Sequence, residues 1–386
     1  MLRIRGNWSS PIRLALGLGL AGMLALVLLC REPFMNWLRG PIILGFSGQL
    51  TGRYSDLGVQ GRNGAALAVE HVNSAGGILG RPLTLLAMDD LNTPEGALAA
   101  DKALIEAGAV AIIGHMTSSQ TMAALPLANA TGTVLFSPTA STPLLSGIKD
   151  LFFRNCPTPT SAAKTLAEHS LRASPKPSLA VVLDRRNAEY CEPYAAAFSQ
   201  RLGELGAGVE LTLAPEFGGP EEYDAIAASL SERRIKAVLF IASARDTADL
   251  VQHVARIRPP VRLMSSDWAS TDTLLRHAGR HAENMVIAVS NPVDTTSPEY
   301  TRFAKSFSER FGAQPTFAAA RSHEAVLILA EALRRCGGSA AGLPAALTTI
   351  RDHPTLSGRL SLDRFGDVES RDVLMRVENS RLVRAD

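Results

Sequence analysis

Apolar and polar positions along this chain fall into two series of short apolar runs separated by amphipathic stretches. Residues 42–46 form an apolar run ending in Ser47-Gly48, the pattern of a buried strand entering a loop. Val59, Ala66, Val69 and Val72 then recur at helical spacing. Gly76-Gly77 ends that helix, because glycine takes up left-handed backbone without steric cost. Residues 83–88 predict a strand that runs into Asp89-Asp90. Thr93-Pro94-Glu95 predicts a helix start, with a capping hydroxyl, proline in the first turn and an acid behind it. A strand over 109–114, a helix over 121–130 and a strand over 133–137 follow. The rhythm restarts after Pro157-Thr158-Pro159. Strands are expected at 179–184, 208–213, 237–242 and 261–264, and helices at 190–205, 221–233 and 246–257. Such alternation predicts parallel sheets with right-handed crossovers, hence two doubly wound α/β lobes. Ligands of such sheets bind beyond the C-terminal strand ends, so those loops are the candidate sites.

Ahead of this pattern, Arg3, Arg5 and Arg13 precede an uncharged run from Leu14 to Cys30. Its length suits either a short transmembrane helix or the core of a signal peptide. The cationic flank keeps the N-terminus in the cytoplasm and puts the bulk of the chain outside. Residues 1–40 are therefore expected to be a signal or membrane anchor, and a retained anchor, a cleaved signal and a lipoprotein at Cys30 all stay open. The expected location is periplasmic or otherwise extracytoplasmic, with the retained segment tethering the protein to the inner membrane. Gly17-Leu18-Gly19-Leu20-Ala21-Gly22 spells G-x-G-x-x-G, but no strand precedes it, so it is not a dinucleotide site.

The 386 residues, 46% of them hydrophobic, exceed one typical core and again suggest two lobes. A net charge of +2 without basic stripes gives no case for nucleic acid. Cys30, Cys156, Cys191 and Cys336 show no C-x-x-C spacing, and nothing in the sequence pairs them. The histidines are scattered, so neither a metal nor another cofactor is expected. An enzyme reading lacks its parts. Gly45-Phe46-Ser47-Gly48 misses the second glycine of a nucleophile elbow, and His115 beside Ser118 reads as structural.

Four strand-end loops carry candidate chemistry: residues 48–58, 114–120, 137–143 and 265–269. The second and third are rich in small hydroxyl residues ahead of a helix or turn. Hydroxyls and free N–H groups at a helix N-terminus favour an anion such as a carboxylate, with plain helix capping as the alternative. Asp267 lies in the opposite series. Its carboxylate suits a ligand ammonium or, alternatively, an N-cap for a helix near Thr271.

These residues together resemble a known family. Thr51-Gly52, Gly58 with Gly64-Ala65, and Ala75-Gly76-Gly77-Ile78 with Gly80-Arg81-Pro82-Leu83 are similar to the branched-chain amino-acid-binding proteins of ABC transporters. So are Asp89-Asp90 with Thr93-Pro94, Gly114-His115 with Ser118-Ser119, Ser137-Pro138 with Ala140-Ser141 and Pro143, and Phe153-Arg154 with Cys156-Pro157-Thr158. The likeness extends to Ser357-Gly358, Leu362-Asp363 and Gly366-Asp367. The resemblance implies a type I periplasmic-binding-protein fold, α/β, with two Rossmann-like lobes, a ligand cleft and three inter-lobe crossings near Pro157, Ser290 and Ser357. Lobe 1 would take residues 41–157 and 290–356, and lobe 2 residues 158–289 and 357–386.

The resemblance also implies a site. Ser118, Ser119, Thr139, Ala140 and Ser141 would hold a ligand carboxylate. Asp267, where the family's better-known members carry glutamate, would hold the ammonium. Leu57, Tyr190, Ser243 and Trp268 would line the side-chain pocket, which Ser243 and Ala244 would enlarge. The implied ligand is an amino acid, an amide or a small carboxylate, delivered to an ABC permease. A membrane-tethered sensing receptor on the same fold is the alternative, and an exported hydrolase lacks its triad.

Overall fold

The structure, a computed structural model, describes residues 40–52, 55–172, 176–217 and 219–385. The expected membrane-targeting run lies outside the described residues. Among the described residues no helix is long and apolar enough to cross a membrane.

Five parallel strands form the first sheet: β1 (Ile42–Gly48), β2 (Leu83–Asp89), β3 (Ala111–Ile113), β4 (Val134–Ser137) and β5 (Phe152–Arg154), in the order β2-β1-β3-β4-β5. Helices α1 (Asp56–Ser74), α2 (Pro94–Glu106) and α3 (Ser118–Thr131) connect the first four strands. Both sheet faces are covered, which is why β1 is apolar on alternate sides rather than on one. Ile42, Leu44 and Phe46 pack with Ala65, Ala68 and Val69 of α1. Ile43 points the other way, toward Leu104, Ile112 and Leu125. The start of α2 follows the sequence signal: Thr93 accepts a hydrogen bond from the Gly96 N–H, with Pro94 in the first turn.

The second sheet contains β6 (Leu179–Leu183), β7 (Leu211–Leu213), β8 (Ala237–Ile241), β9 (Arg262–Ser266) and β10 (Val286–Ser290). Around it lie α4 (Thr160–Ser170), α5 (Ala188–Glu204), α6 (Pro220–Glu232), α7 (Ala244–Val254) and α8 (Asp272–Ala278). The chain then returns to the first sheet through α9 (Pro298–Phe311), α10 (Phe317–Arg335), α11 (Leu343–Leu347) and a small hairpin of β11 (His353–Thr355) and β12 (Gly358–Leu360). It ends by adding the antiparallel strands β13 (Asp372–Glu378) and β14 (Arg381–Arg384) to β10 of the second sheet.

Packing between α1 and α10 explains Gly64, whereas Gly58 lies against the Gln49 carbonyl, whose oxygen is 1.9 Å from where a Cβ would sit. A Cβ on Gly64 would lie 2.0 Å from the Ala319 carbonyl oxygen, so only glycine lets the two helices approach this closely. That approach fixes α10, which carries Arg321 and Glu324 beneath the cleft.

The third passage between the sheets is displaced from its expected place at Ser357. Leu360, Leu362 and Val368 pack on the core of the first sheet. Asp367 forms a 2.6 Å ion pair with Arg154, and the Arg154 N–H donates to the Gly366 carbonyl. These bonds tie the 362–367 turn to the edge strand β5. The chain therefore crosses between Val368 and Asp372.

Candidate functional site

The strand-end loops of the two sheets face each other across a cavity of about 220 Å³. Leu57, Ser118, Thr139 and Ser141 line it from the first sheet's side, and Tyr190, Asp267 and Trp268 from the second's. Trp268 spans the gap, touching the apolar cores on both sides and standing edge-on to Tyr190 at 5.9 Å.

The first wall is built on Ser137. Its Oγ donates to the His115 carbonyl (2.7 Å) and accepts the Ala140 N–H (2.9 Å), which folds the loop after β4 back on itself. Ala140 is thereby fully buried with its amide spent, so it does not line the cavity. Thr139 Oγ1 donates to the Met116 carbonyl at 2.7 Å. Ser118 Oγ accepts the Thr142 N–H at 3.3 Å, leaving its own proton free to donate. Ser141 lies on the cavity wall, half-buried.

Helix α3 begins at this wall, but a protein group already occupies its N-terminus. Asn187, from the loop before α5, presents Oδ1 to the backbone N–H groups of Ser118 (3.1 Å) and Ser119 (3.2 Å). Ser119 Oγ also bonds the Glu189 carboxylate. Ser119 is thus a bridge between the two sides rather than part of the cavity wall. Sequence reasoning missed Asn187, which stands one residue before a helix, where a cap is the ordinary reading.

Beneath the loop, the buried His115 ring lies between two aspartates, Nδ1 at 2.8 Å from Asp90 and Nε2 at 3.2 Å from Asp101. Burial alone pushes the imidazole pKa down, but Asp101 and then Asp90 outweigh it and raise it to about 9. His115 is therefore a buried cation that braces the loop.

On the opposite wall the Tyr190 hydroxyl donates to the Asp267 carboxylate at 3.0 Å. Burial pushes the Asp267 pKa upward, against the charge of Arg321 and the hydrogen bonds from Tyr190 and the Ser290 amide. The capping alternative has no bond behind it: neither the 3₁₀ turn Asp267–Ala269 nor α8 has a side-chain cap.

Ser243 is displaced from its expected role. It accepts the Asp246 N–H at 3.2 Å and donates to the Asp246 carboxylate at 2.9 Å, capping α7. It and Ala244 line a separate cavity of about 30 Å³ beside the main one, and so do not enlarge the latter.

Arg321 and Glu324 are further residues the sequence reading missed, although an Arg-x-x-Glu pair inside an apolar helix is a costly placement that marks a role. Arg321 Nη2 donates to the Ser290 carbonyl at 2.6 Å. Glu324 accepts the Leu356 N–H at 2.6 Å and the Asn155 side-chain amide at 3.2 Å. Together they clasp chain segments beside the passages between the sheets. Cys156, Cys191 and Cys336 are free thiols. Among the described residues no cluster of three metal-ligating side chains occurs.

Compared with known proteins, residues 41–378 match the family described as periplasmic binding protein. An amino acid binding protein of Pseudomonas aeruginosa is 25% identical over 343 residues, which is 86% of this chain and 89% of that protein. The Leu/Ile/Val-binding protein BraC3 of Rhizobium johnstonii is 24% identical over 89% of this chain and 94% of its own. The leucine binding protein LivK of Thermotoga maritima shares the fold with a TM-score of 0.80 at 19% identity, covering 89% of this chain and 98% of that one. A solute binding protein from R. palustris in complex with benzoate also gives 0.80, at 20% identity, covering 89% and 95%. With the family match spanning both sheets and the cleft between them, the chain belongs to the periplasmic binding protein family, as an extracytoplasmic solute-binding protein of type I fold and not an enzyme.

Proposed function

We propose that the protein captures an amino acid, or a small carboxylate of similar build, by closing its two lobes, and delivers it to an ABC permease. The observation that carries this reading is the pair of unlike poles facing one cavity. Ser118 and Ser141 offer donors on one wall, and Asp267 offers a carboxylate on the other. A zwitterion answers both, its carboxylate meeting the hydroxyls and its ammonium meeting Asp267. Binding then rewards the closed arrangement, because each lobe supplies half of the contacts. A ligand with a carboxylate and no ammonium, such as benzoate, would leave Asp267 without an ion-pair partner, and a buried charge without a partner in contact is costly. The relatives named as amino-acid- and Leu/Ile/Val-binding proteins support the zwitterion. In this reading residues 1–40 direct the protein across the inner membrane and tether it there.

Titration calorimetry against the common amino acids, their amides and small aromatic acids tests the proposal. At least one α-amino acid is expected to bind and to be recovered unchanged. At about 100 times its dissociation constant it should add roughly 2.7 kcal/mol of stability, visible as a raised melting temperature. Absence of binding by every amino acid would overturn the reading.

A further inference from the structure

The cavity has a third polar wall that an amino-acid head group leaves unused. It lies where α10 begins. Arg321 lines the cavity and is only 6% exposed. Its Nη atoms are taken by the Ser290, Asn291 and Asn155 carbonyls. Its Nε–H is buried with no partner. Among the described residues no carboxylate forms an ion pair with it. Thr316, one residue ahead of α10, lines the same cavity, and its Oγ1 is likewise buried, unpartnered and unused as a cap. The helix it heads is 19 residues long, with partial positive charge at that end.

Buried donors without partners are rare enough to need a cause. Here a guanidinium N–H, a hydroxyl and a helix N-terminus bear on one cavity, and each favours an anion. The nearby carboxylates Asp267 and Glu324 feel the Arg321 charge but make their hydrogen bonds to other groups. Glu324 accepts from Leu356 and Asn155, and Asp267 accepts from Tyr190. Pro292, Val293 and Phe317 give the same region an apolar lining suited to methylene groups.

We propose that this wall receives a second anionic group of the ligand, so that the ligand is an amino acid with a carboxylate side chain. The inference rests on the amino-acid reading above, in which Ser118, Ser141 and Asp267 hold the head group. Arg321 is then both a ligand-binding residue and a clasp on the passages, and Thr316 is its neutral partner in recognition.

Calorimetry with matched pairs tests this: L-glutamate against L-norvaline, and L-2-aminoadipate against L-norleucine. At least one acid should bind about tenfold or more tightly than its neutral match, the factor expected for a hydrogen bond to a charged group. The preference should collapse in Arg321→Gln and shrink in Thr316→Val, which leaves the clasp untouched and remains informative if the arginine variant fails to fold. Neutral amino acids binding as tightly as the acids would overturn the inference while leaving the amino-acid reading intact. A preference for the acid that survives both substitutions would also overturn it. Failure of every α-amino acid tried, these four and the common set alike, to bind would sink both readings together.

Discussion

The Tyr190 hydroxyl and the Asp267 carboxylate meet at 3.0 Å on the cavity wall, and Tyr190 is the buried member of the pair. The bond orients the carboxylate without neutralising it. Asp267 has no basic side chain in ion-pair contact among the described residues, so a cationic ligand group is its natural complement.

Tyr190→Phe removes the orienting donor and keeps the ring that packs on Trp268 and Tyr194. Ligand affinity should fall roughly tenfold, the worth of a hydrogen bond to a charged group. Calorimetry on the variant checks this, and unchanged affinity would mean that the bond does not prepare the site.

His115 makes stability depend on pH. Its folded pKa, about 9, lies above the ordinary 6.5 because Asp101 and Asp90 hold the proton. Its contribution is therefore complete below pH 6.5 and is lost as pH rises through 9. Urea unfolding between pH 6.5 and 9.5 should show stability falling by on the order of 2–3 kcal/mol. A flat profile across that window would contradict a charged His115.

Ser141 and Ser243 should separate cleanly. Ser141→Ala should weaken ligand binding roughly tenfold with little change in melting temperature. Ser243→Ala should cost about 1 kcal/mol of stability through the lost α7 cap and leave affinity nearly unchanged. Calorimetry and urea unfolding on both variants read the contrast, and affinity loss at Ser243 would return it to the ligand site.

Asn187 bridges the two sides of the cleft at the head of α3. Ligand should stabilise that bridged arrangement, so solution scattering should give a smaller radius of gyration at saturation than without ligand. An unchanged radius would rule out closure as the response to ligand.

The strand–helix alternation was legible because β1, β4, β6 and β8 are covered on both faces and so read as continuous apolar runs. The Thr93 cap was legible from three residues. The β13–β14 hairpin was not, although Asn379-Ser380 with both φ values positive marks a tight turn between them. Its strands alternate polar and apolar at a sheet edge, outside the expected rhythm. The loops that hold Ser118, Ser141 and Asp267 were singled out because loops after parallel strands converge on a cleft, and the family resemblance named the individual residues. Ser243 was misplaced because a capping serine and a lining serine look alike in sequence. Arg321 was missed because its role depends on α10 crossing beneath the passages, a tertiary fact that no local pattern carries.

The most direct test compares an amino acid with its des-amino analogue on the wild-type protein and on Asp267→Asn. The account predicts that the wild type binds the amino acid far more tightly, and that the substitution erases most of that difference by weakening the amino acid alone. Asparagine caps a helix about as well as aspartate, so a mere cap would leave both affinities in place. Equal affinity of the wild type for the two compounds, or a preference that survives Asp267→Asn, would contradict the account.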